Sequence, residues 1–91
     1  MEQAFLLALE KARQQALELG VRIRPVPDMK SARRCLSGHR ESDGFYALAD
    51  KNRLDLSLEA LAVSKAYTPL FSDDAVNTAL TRLLTAGYKF S

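Results

Sequence analysis

The apolar residues in the last quarter of the chain recur at helical spacing and predict an α-helix over residues 73–86. Ser72 suits the N-cap position, because a serine hydroxyl accepts a hydrogen bond from a backbone N–H that has no partner within the helix. Gly87 follows the last turn and provides the left-handed residue that commonly ends a helix. The predicted buried face consists of Ala75, Val76, Ala79, Leu80, Leu83 and Leu84. The opposite, polar face consists of Asn77, Thr78, Thr81, Arg82 and Thr85.

Residues 2–19 also follow a helical period, and Gly20 marks the end of the helix that they predict. Its apolar face consists of Phe5, Ala8, Leu9, Ala12, Ala16 and Leu19. Leu7 falls within the polar face, while Leu6 and Leu17 flank the apolar one. Two interpretations stay open. The three leucines are ordinary surface residues beside a wide apolar stripe, or they contact a second copy of the chain or a partner helix. The second interpretation predicts a homodimer through the N-terminal helix.

The next part of the chain has a strand-like pattern followed by a short amphipathic helix. Apolar residues and arginines alternate between Val21 and Val26, but Pro25 and Pro27 confine this segment either to the edge of a sheet or to an extended connector. Asp28 is then placed to cap a helix over residues 29–37, which ends at Gly38. On this helix, Met29, Ala32, Cys35 and Leu36 face one way, and Lys30, Arg33, Arg34 and Ser37 face the other.

Residues 44–56 allow two structures. The first is a short helix that is capped by Ser42 or Asp43 and ends near Asn52. The second is a β-hairpin with its turn at residues 50–53. Alanine and leucine dominate where a strand would favour β-branched residues, so the pattern favours the helix.

A further helix is predicted over residues 58–66, with Ser57 at its N-cap. Apolar residues lie on nearly all of its sides, which is typical of a buried helix. We therefore predict that it is the most central helix of the fold.

Together these elements predict a mainly α fold, a small single-domain bundle of four or five helices, with either one short edge strand or a connector at residues 21–26. We expect residues 1–91 to form one domain, in which a polar linker at residues 39–43 separates an N-terminal helical half (1–38) from a C-terminal three-helix half (43–91). The composition of 47% hydrophobic and 26% charged residues is typical of a globular chain.

Composition also narrows the chemistry of the chain. Cys35 is the single cysteine, so there is no internal disulfide framework, and one cysteine with one histidine cannot form a Cys/His zinc site within one chain. The N-terminus lacks a signal-peptide pattern, and no apolar run approaches the ~20 residues that cross a bilayer. We therefore expect a cytoplasmic protein without a membrane segment, metal or cofactor.

Positive charge is concentrated in one part of the chain. The net charge is only +2, yet residues 20–40 carry six basic residues and one acidic residue. The basic residues are Arg22, Arg24, Lys30, Arg33, Arg34 and Arg40. A surface of one sign favours a partner of the opposite sign. This pattern predicts a small non-enzymatic binding or regulatory protein that presents a basic helix face to an acidic protein partner. Binding of nucleic acid through phosphate contacts is the alternative.

The polar face of the last helix supports that alternative. Asn77, Thr78, Thr81 and Arg82 are residue types that can read base edges. Residues 76–88 run from leucines to a closing Gly-Tyr and resemble the recognition helix that leads into the wing of winged-helix DNA-binding domains. The resemblance covers about a fifth of the chain. It implies base reading by the four polar residues. The six-residue link before the helix is longer than the usual turn, and two aspartates precede Ala75 where DNA phosphates would approach.

A catalytic arrangement of Cys35, His39 and Asp43 is the third candidate chemistry. A cysteine–histidine pair oriented by a carboxylate can generate a thiolate nucleophile. However, Cys35 falls on the apolar face of its helix and Gly38 interrupts the helix before His39. The sequence therefore predicts a protein that is not an enzyme.

Overall fold

The computed structural model describes residues 2–38 and 40–88 of the chain, and these residues form a helical fold. Its α-helices are α1 (Glu2–Glu18), α2 (Met29–Ser37), α3 (Phe45–Asp50), α4 (Leu58–Ala62) and α5 (Asp73–Thr85), and short 3₁₀ turns span Leu54–Leu56 and Thr68–Leu70. No strand occurs within the described residues. The predicted mainly α class is therefore confirmed.

The predicted N-caps of three helices are confirmed by hydrogen bonds. The Asp28 carboxylate accepts from the Ser31 N–H at 2.8 Å, and the Ser72 hydroxyl accepts from the Ala75 N–H at 3.2 Å. Ser57 caps α4 by accepting from a backbone N–H at 3.1 Å, and its hydroxyl also donates to the Leu54 carbonyl at 2.7 Å. Each bond satisfies a first-turn N–H, so these helix starts are fixed by local sequence.

Of the two alternatives for residues 21–26, the connector is confirmed and the edge strand is wrong. The segment is extended but pairs with no strand in the described part of the chain. Its backbone N–H at Arg24 instead donates to the Asp43 carboxylate at 2.7 Å. The alternation still has meaning, because Val21 is buried while Arg22 and Arg24 are exposed. Prolines at positions 25 and 27 have no N–H to donate to a neighbouring strand.

The helix predicted from residue 44 is confirmed against the hairpin, since α3 spans Phe45–Asp50 and ends in a turn with Asn52 at φ +58°. Its predicted caps are wrong. Gly44 occupies the N-cap position without a side-chain bond, because the side chains of Ser42 and Asp43 bond to other segments.

Two predicted features of the C-terminal half need correction. Helix α4 ends at Ala62 rather than at residue 66, and the Ser64 N–H and hydroxyl both bond to the Leu61 carbonyl in the turn that follows. Leu84, predicted to be buried, is 61% exposed. The buried side of α5 is centred on Ala79 and Leu83. Leu84 follows Leu83 and lies about 100° further around the helix axis, so it faces solvent.

Two clusters of buried side chains form the core, and both combine residues from the N- and C-terminal halves of the chain. One cluster lies around Phe5, whose ring meets those of Tyr67 and Phe71 edge-on at a centroid distance of 5.2 Å in each case. The other lies around Phe45 and Leu83. Helix α4 packs against α1 and α5, and α5 also packs against α2. This packing fixes α1 and α2 beside the extended segment that runs between them.

Candidate partner-binding surface

A groove of about 570 Å³ lies where α1, residues 23–27, α2 and residues 40–43 meet. This cavity is referred to below as the groove. It is lined by aliphatic side chains from three parts of the chain, namely Leu6, Leu9, Ile23, Val26, Leu56 and Leu58. Ser31 and Cys35, one turn apart on α2, also line it. A concave apolar site with a few polar groups is the usual form of a binding pocket.

Charged side chains also line the groove, and most of them are already bonded to the protein. Arg13 pairs with Glu10 at 2.7 Å. The Glu41 carboxylate accepts from the Tyr46 hydroxyl at 2.8 Å. The pKa of Glu41 is lowered chiefly by a hydrogen bond from its own backbone N–H, and next by this bond from Tyr46. Asp43 accepts from the Arg24 backbone, as described above.

Arg24 and Arg40 are the exceptions at the groove. Both are exposed and both line it, one from the extended segment and one from the loop that precedes α3. Neither guanidinium has a hydrogen bond or an ion pair with any residue in 2–38 or 40–88. The groove therefore brings together two cationic groups of the predicted set that have no side-chain bond to the described residues.

Lys30 and Arg34 extend this positive surface along α2. They stand one turn apart and immediately precede Ser31 and Cys35, so they form a row beside the wall of the groove. Both are exposed and neither forms an ion pair within the described chain. The pKa of Asp28 is lowered chiefly by the hydrogen bond from the Ser31 backbone, and to a smaller degree by the charges of Lys30 and Arg34.

The remaining two predicted basic residues differ from each other. Arg22 is exposed on the extended segment, two residues from Arg24, and has no bonding partner among the described residues. Arg33 faces α1 and the second 3₁₀ turn instead. Its Nη2 lies 3.2 Å from Glu2 Oε2, and it donates to the Leu70 carbonyl from Nε at 3.2 Å and from Nη2 at 3.1 Å. We define the basic surface as Arg22, Arg24, Lys30, Arg34 and Arg40, without Arg33.

The four residues predicted to read bases differ in their exposure to solvent. Asn77 and Thr81 are exposed and Thr78 is half-buried. The expectation that Arg82 lies on the solvent side is wrong, because its side chain is 8% exposed. It packs inward because its guanidinium satisfies carbonyls at the end of α2. Nη1 donates to Cys35 O at 3.2 Å, and Nη2 donates to Gly38 O at 2.8 Å.

Glu59 completes a buried network that the sequence patterns did not reveal. Its side chain is fully buried and lies 3.2 Å from Arg82 Nη1. It also accepts bonds from the Ser42 N–H at 2.9 Å and from the Ser42 hydroxyl at 2.5 Å. The network joins α4 and α5 to the end of α2 and to the loop that carries Arg40. One signal was available, since Glu59 is the only charged residue among the apolar residues of α4.

Cys35 is half-buried, and burial raises the pKa of its thiol, with the nearby Glu59 carboxylate adding to the effect. A raised pKa keeps the thiol protonated at neutral pH, opposite to what a cysteine nucleophile needs. Asp43 bonds to the Arg24 backbone, and His39 lies outside the described residues. Among residues 2–38 and 40–88, no three His, Cys, Asp or Glu side chains come close enough to hold a metal ion.

Leu7 and Leu17 are 62% and 52% exposed on α1, whereas Leu6 is half-buried. The homodimer through this helix therefore stays a prediction, which sedimentation equilibrium at increasing protein concentration would test. None of the described helices combines the length and the apolar composition needed to cross a membrane.

Comparison of the chain with protein-family models, with curated proteins and with solved structures found no match.

Proposed function

We propose that this chain is a small non-enzymatic binding protein whose basic surface docks an acidic segment of a partner protein. The observation that carries the proposal is the set of five exposed basic side chains without ion pairs in the described chain. Two of them line the groove, and each of the other three is the sequence neighbour of a residue that lines it. Guanidinium groups form strong paired hydrogen bonds with carboxylates, so Arg24 and Arg40 suit aspartate and glutamate side chains.

The local charge balance remains positive. Asp28, Glu41 and Asp43 lie in the same region, but each is hydrogen-bonded within the protein. Glu10 also lines the groove and is paired with Arg13. With that pair included, four carboxylates against six basic side chains leave a positive surplus, and the cations without ion pairs in the described chain are exposed. Such a surface increases the rate of encounter with an acidic partner and selects against basic ones.

Nucleic acid is the second candidate, favoured by the same five cations. Three observations weigh against it. The groove is lined by aliphatic side chains, which a phosphate backbone does not match. Arg82 is buried and has no access to base edges. The exposed Asp73 and Asp74 begin α5, where they would repel phosphates.

Fluorescence anisotropy distinguishes the two partners. The protein is titrated into labelled decapeptides rich in aspartate and glutamate, and in parallel into a labelled random DNA duplex at several salt concentrations. We expect peptide binding that the Arg24→Glu/Arg40→Glu variant weakens about tenfold or more. The matched control is Lys51→Glu/Lys65→Glu, which makes the same change of charge at two exposed lysines outside the groove. Equal losses of peptide affinity in both variants would show that binding depends only on the net charge of the protein and not on Arg24 and Arg40. Duplex binding that falls steeply with salt, without peptide binding, would replace the protein partner with nucleic acid.

A further inference from the structure

We infer that the groove receives a bulky apolar side chain of the acidic partner segment, with Arg24 and Arg40 binding carboxylates on either side of that anchor. This inference rests on the proposed function and adds the chemistry of the bound segment. The partner would carry a leucine or phenylalanine flanked by aspartate or glutamate.

The volume and the lining of the groove support the anchor. About 570 Å³ is within the range of sites that enclose a ligand, roughly 300–1,000 Å³. The aliphatic lining comes from α1, the extended segment and residues 56–58, so an inserted side chain meets apolar atoms on several sides. Transfer of an apolar group from water into such a site is favourable.

Charge complementarity determines what must flank the anchor. Arg24 and Arg40 approach the same cavity from separate segments, 16 residues apart in sequence, and neither is bonded within the described chain. A carboxylate before and another after the anchor would each meet one guanidinium in a paired hydrogen bond. An uncharged apolar segment would leave both cations without partners. Docking interfaces commonly combine a buried apolar anchor with a polar rim in this way.

Cys35 provides a direct report of groove occupancy. Its thiol lines the groove, and it is the single cysteine of the chain. An anchor in the groove covers the thiol, whereas a peptide bound only along the exposed row of Lys30 and Arg34 does not. Alkylation by iodoacetamide is followed by mass spectrometry at alkaline pH, because the thiolate is the reacting form and its fraction increases with pH.

The test uses three peptide pools on an identical acidic frame, with leucine, phenylalanine or alanine fixed at the centre. We expect the leucine and phenylalanine pools to bind at least about tenfold more tightly than the alanine pool. Only these two pools should slow the alkylation of Cys35. If all three pools bind equally and leave alkylation unchanged, the basic surface binds acidic peptides but the anchor is refuted. If no pool binds, the proposed function fails and the inference fails with it.

A blocking variant gives a second, independent result. Ser31 lines the groove from α2, so Ser31→Phe should fill part of it and weaken binding of the leucine pool about tenfold or more. Ser37→Phe is the matched control, since Ser37 is exposed on the same helix and does not line the groove. Circular dichroism establishes that each variant is folded. Unchanged affinity in a folded Ser31→Phe protein would contradict the inference, and Cys35 protection in the wild-type chain tests it without any substitution.

Discussion

The Arg82 guanidinium lies 3.2 Å from the Glu59 carboxylate, and both side chains are almost completely excluded from solvent. Arg82 also donates to two carbonyls at the end of α2, and Glu59 accepts from Ser42 in the loop before α3. Helix α2 and this loop each form one wall of the groove. The buried ion pair is hydrogen-bonded to both, so it fixes the positions of both walls.

Removal of either partner should destabilise the fold strongly. Arg82→Met leaves the buried Glu59 carboxylate without its counter-ion. Glu59→Leu likewise leaves the buried Arg82 guanidinium without its counter-ion. An uncompensated buried charge costs about 3–5 kcal/mol, so each variant should lose stability of that order. Urea unfolding followed by circular dichroism measures the loss.

The double variant Glu59→Leu/Arg82→Met is the control for this pairing. It removes both charges together, so it should be clearly less destabilised than the sum of the two single variants. Additive losses would mean that the two side chains stabilise the fold through separate contacts.

Sequence patterns predicted the local features of this fold well. The caps at Asp28, Ser57 and Ser72 each depend on a residue and an N–H three positions later, so the signal and the structure lie in the same turn. The buried faces of α1 and α2 follow from helical spacing in the same way. By contrast, Arg82 and Glu59 are 23 positions apart, and helical periodicity assigned the arginine to the solvent side.

The groove and the extended segment also depend on contacts between residues that are far apart in sequence, which local patterns do not predict. The alternation between Val21 and Val26 correctly separated inward from outward residues, but a strand also requires a neighbouring strand, which a local pattern does not supply. The sequence placed Arg24 and Arg40 in one basic region. Their position around one cavity depends on how α1, α2 and the loop before α3 pack, which is a long-range property.

Two adjacent leucines on α5 should respond very differently to truncation. Leu83 is fully buried in the core cluster around Phe45, whereas Leu84 is 61% exposed. Leu83→Ala removes buried methyl groups and leaves a cavity, with an expected loss of about 2–5 kcal/mol. Leu84→Ala should change the free energy of unfolding by no more than about 0.5 kcal/mol. Urea unfolding of the two variants tests whether α5 buries Leu83 and exposes Leu84. A similar loss of stability in both variants would contradict this orientation of the helix.

Gly44 should tolerate a side chain less well than the other glycines with positive φ. At φ +78°, an added Cβ would lie 2.7 Å from Cγ1 of Ile23. Left-handed backbone alone costs an L-residue about 1–2 kcal/mol, and the clash adds to this in Gly44→Ala. Gly20→Ala and Gly87→Ala are matched controls, because their φ values are +86° and +84° and, apart from chain neighbours, no atom of the described residues lies within 4 Å of the new Cβ.

Thermal unfolding of the three alanine variants should therefore rank Gly44→Ala as the least stable. Because Ile23 also lines the groove, we expect the same variant to weaken peptide binding, while the two controls bind as the wild-type chain does. Equal melting temperatures for all three variants would show that Ile23 moves away without cost.

Asp28 should make stability depend on pH in the acidic range. The Ser31 N–H holds the pKa of Asp28 below its ordinary value in the folded chain, since that bond favours the ionised carboxylate. A depressed folded pKa means that the contribution of Asp28 is fully present above the unfolded pKa. It is lost as pH falls through the folded pKa.

Asp28→Asn separates this titration from the capping bond, because asparagine is an equally good N-cap but does not ionise. We expect the stability of the wild-type chain relative to Asp28→Asn to be constant near neutral pH and to decline below the ordinary aspartate pKa. Urea unfolding at a series of pH values measures the difference, and other carboxylates cancel because both chains contain them. A difference that stays constant down to the lowest pH would mean that Asp28 titrates alike in the folded and unfolded chains. The helix that carries Lys30 and Arg34 would then begin without help from a charged cap.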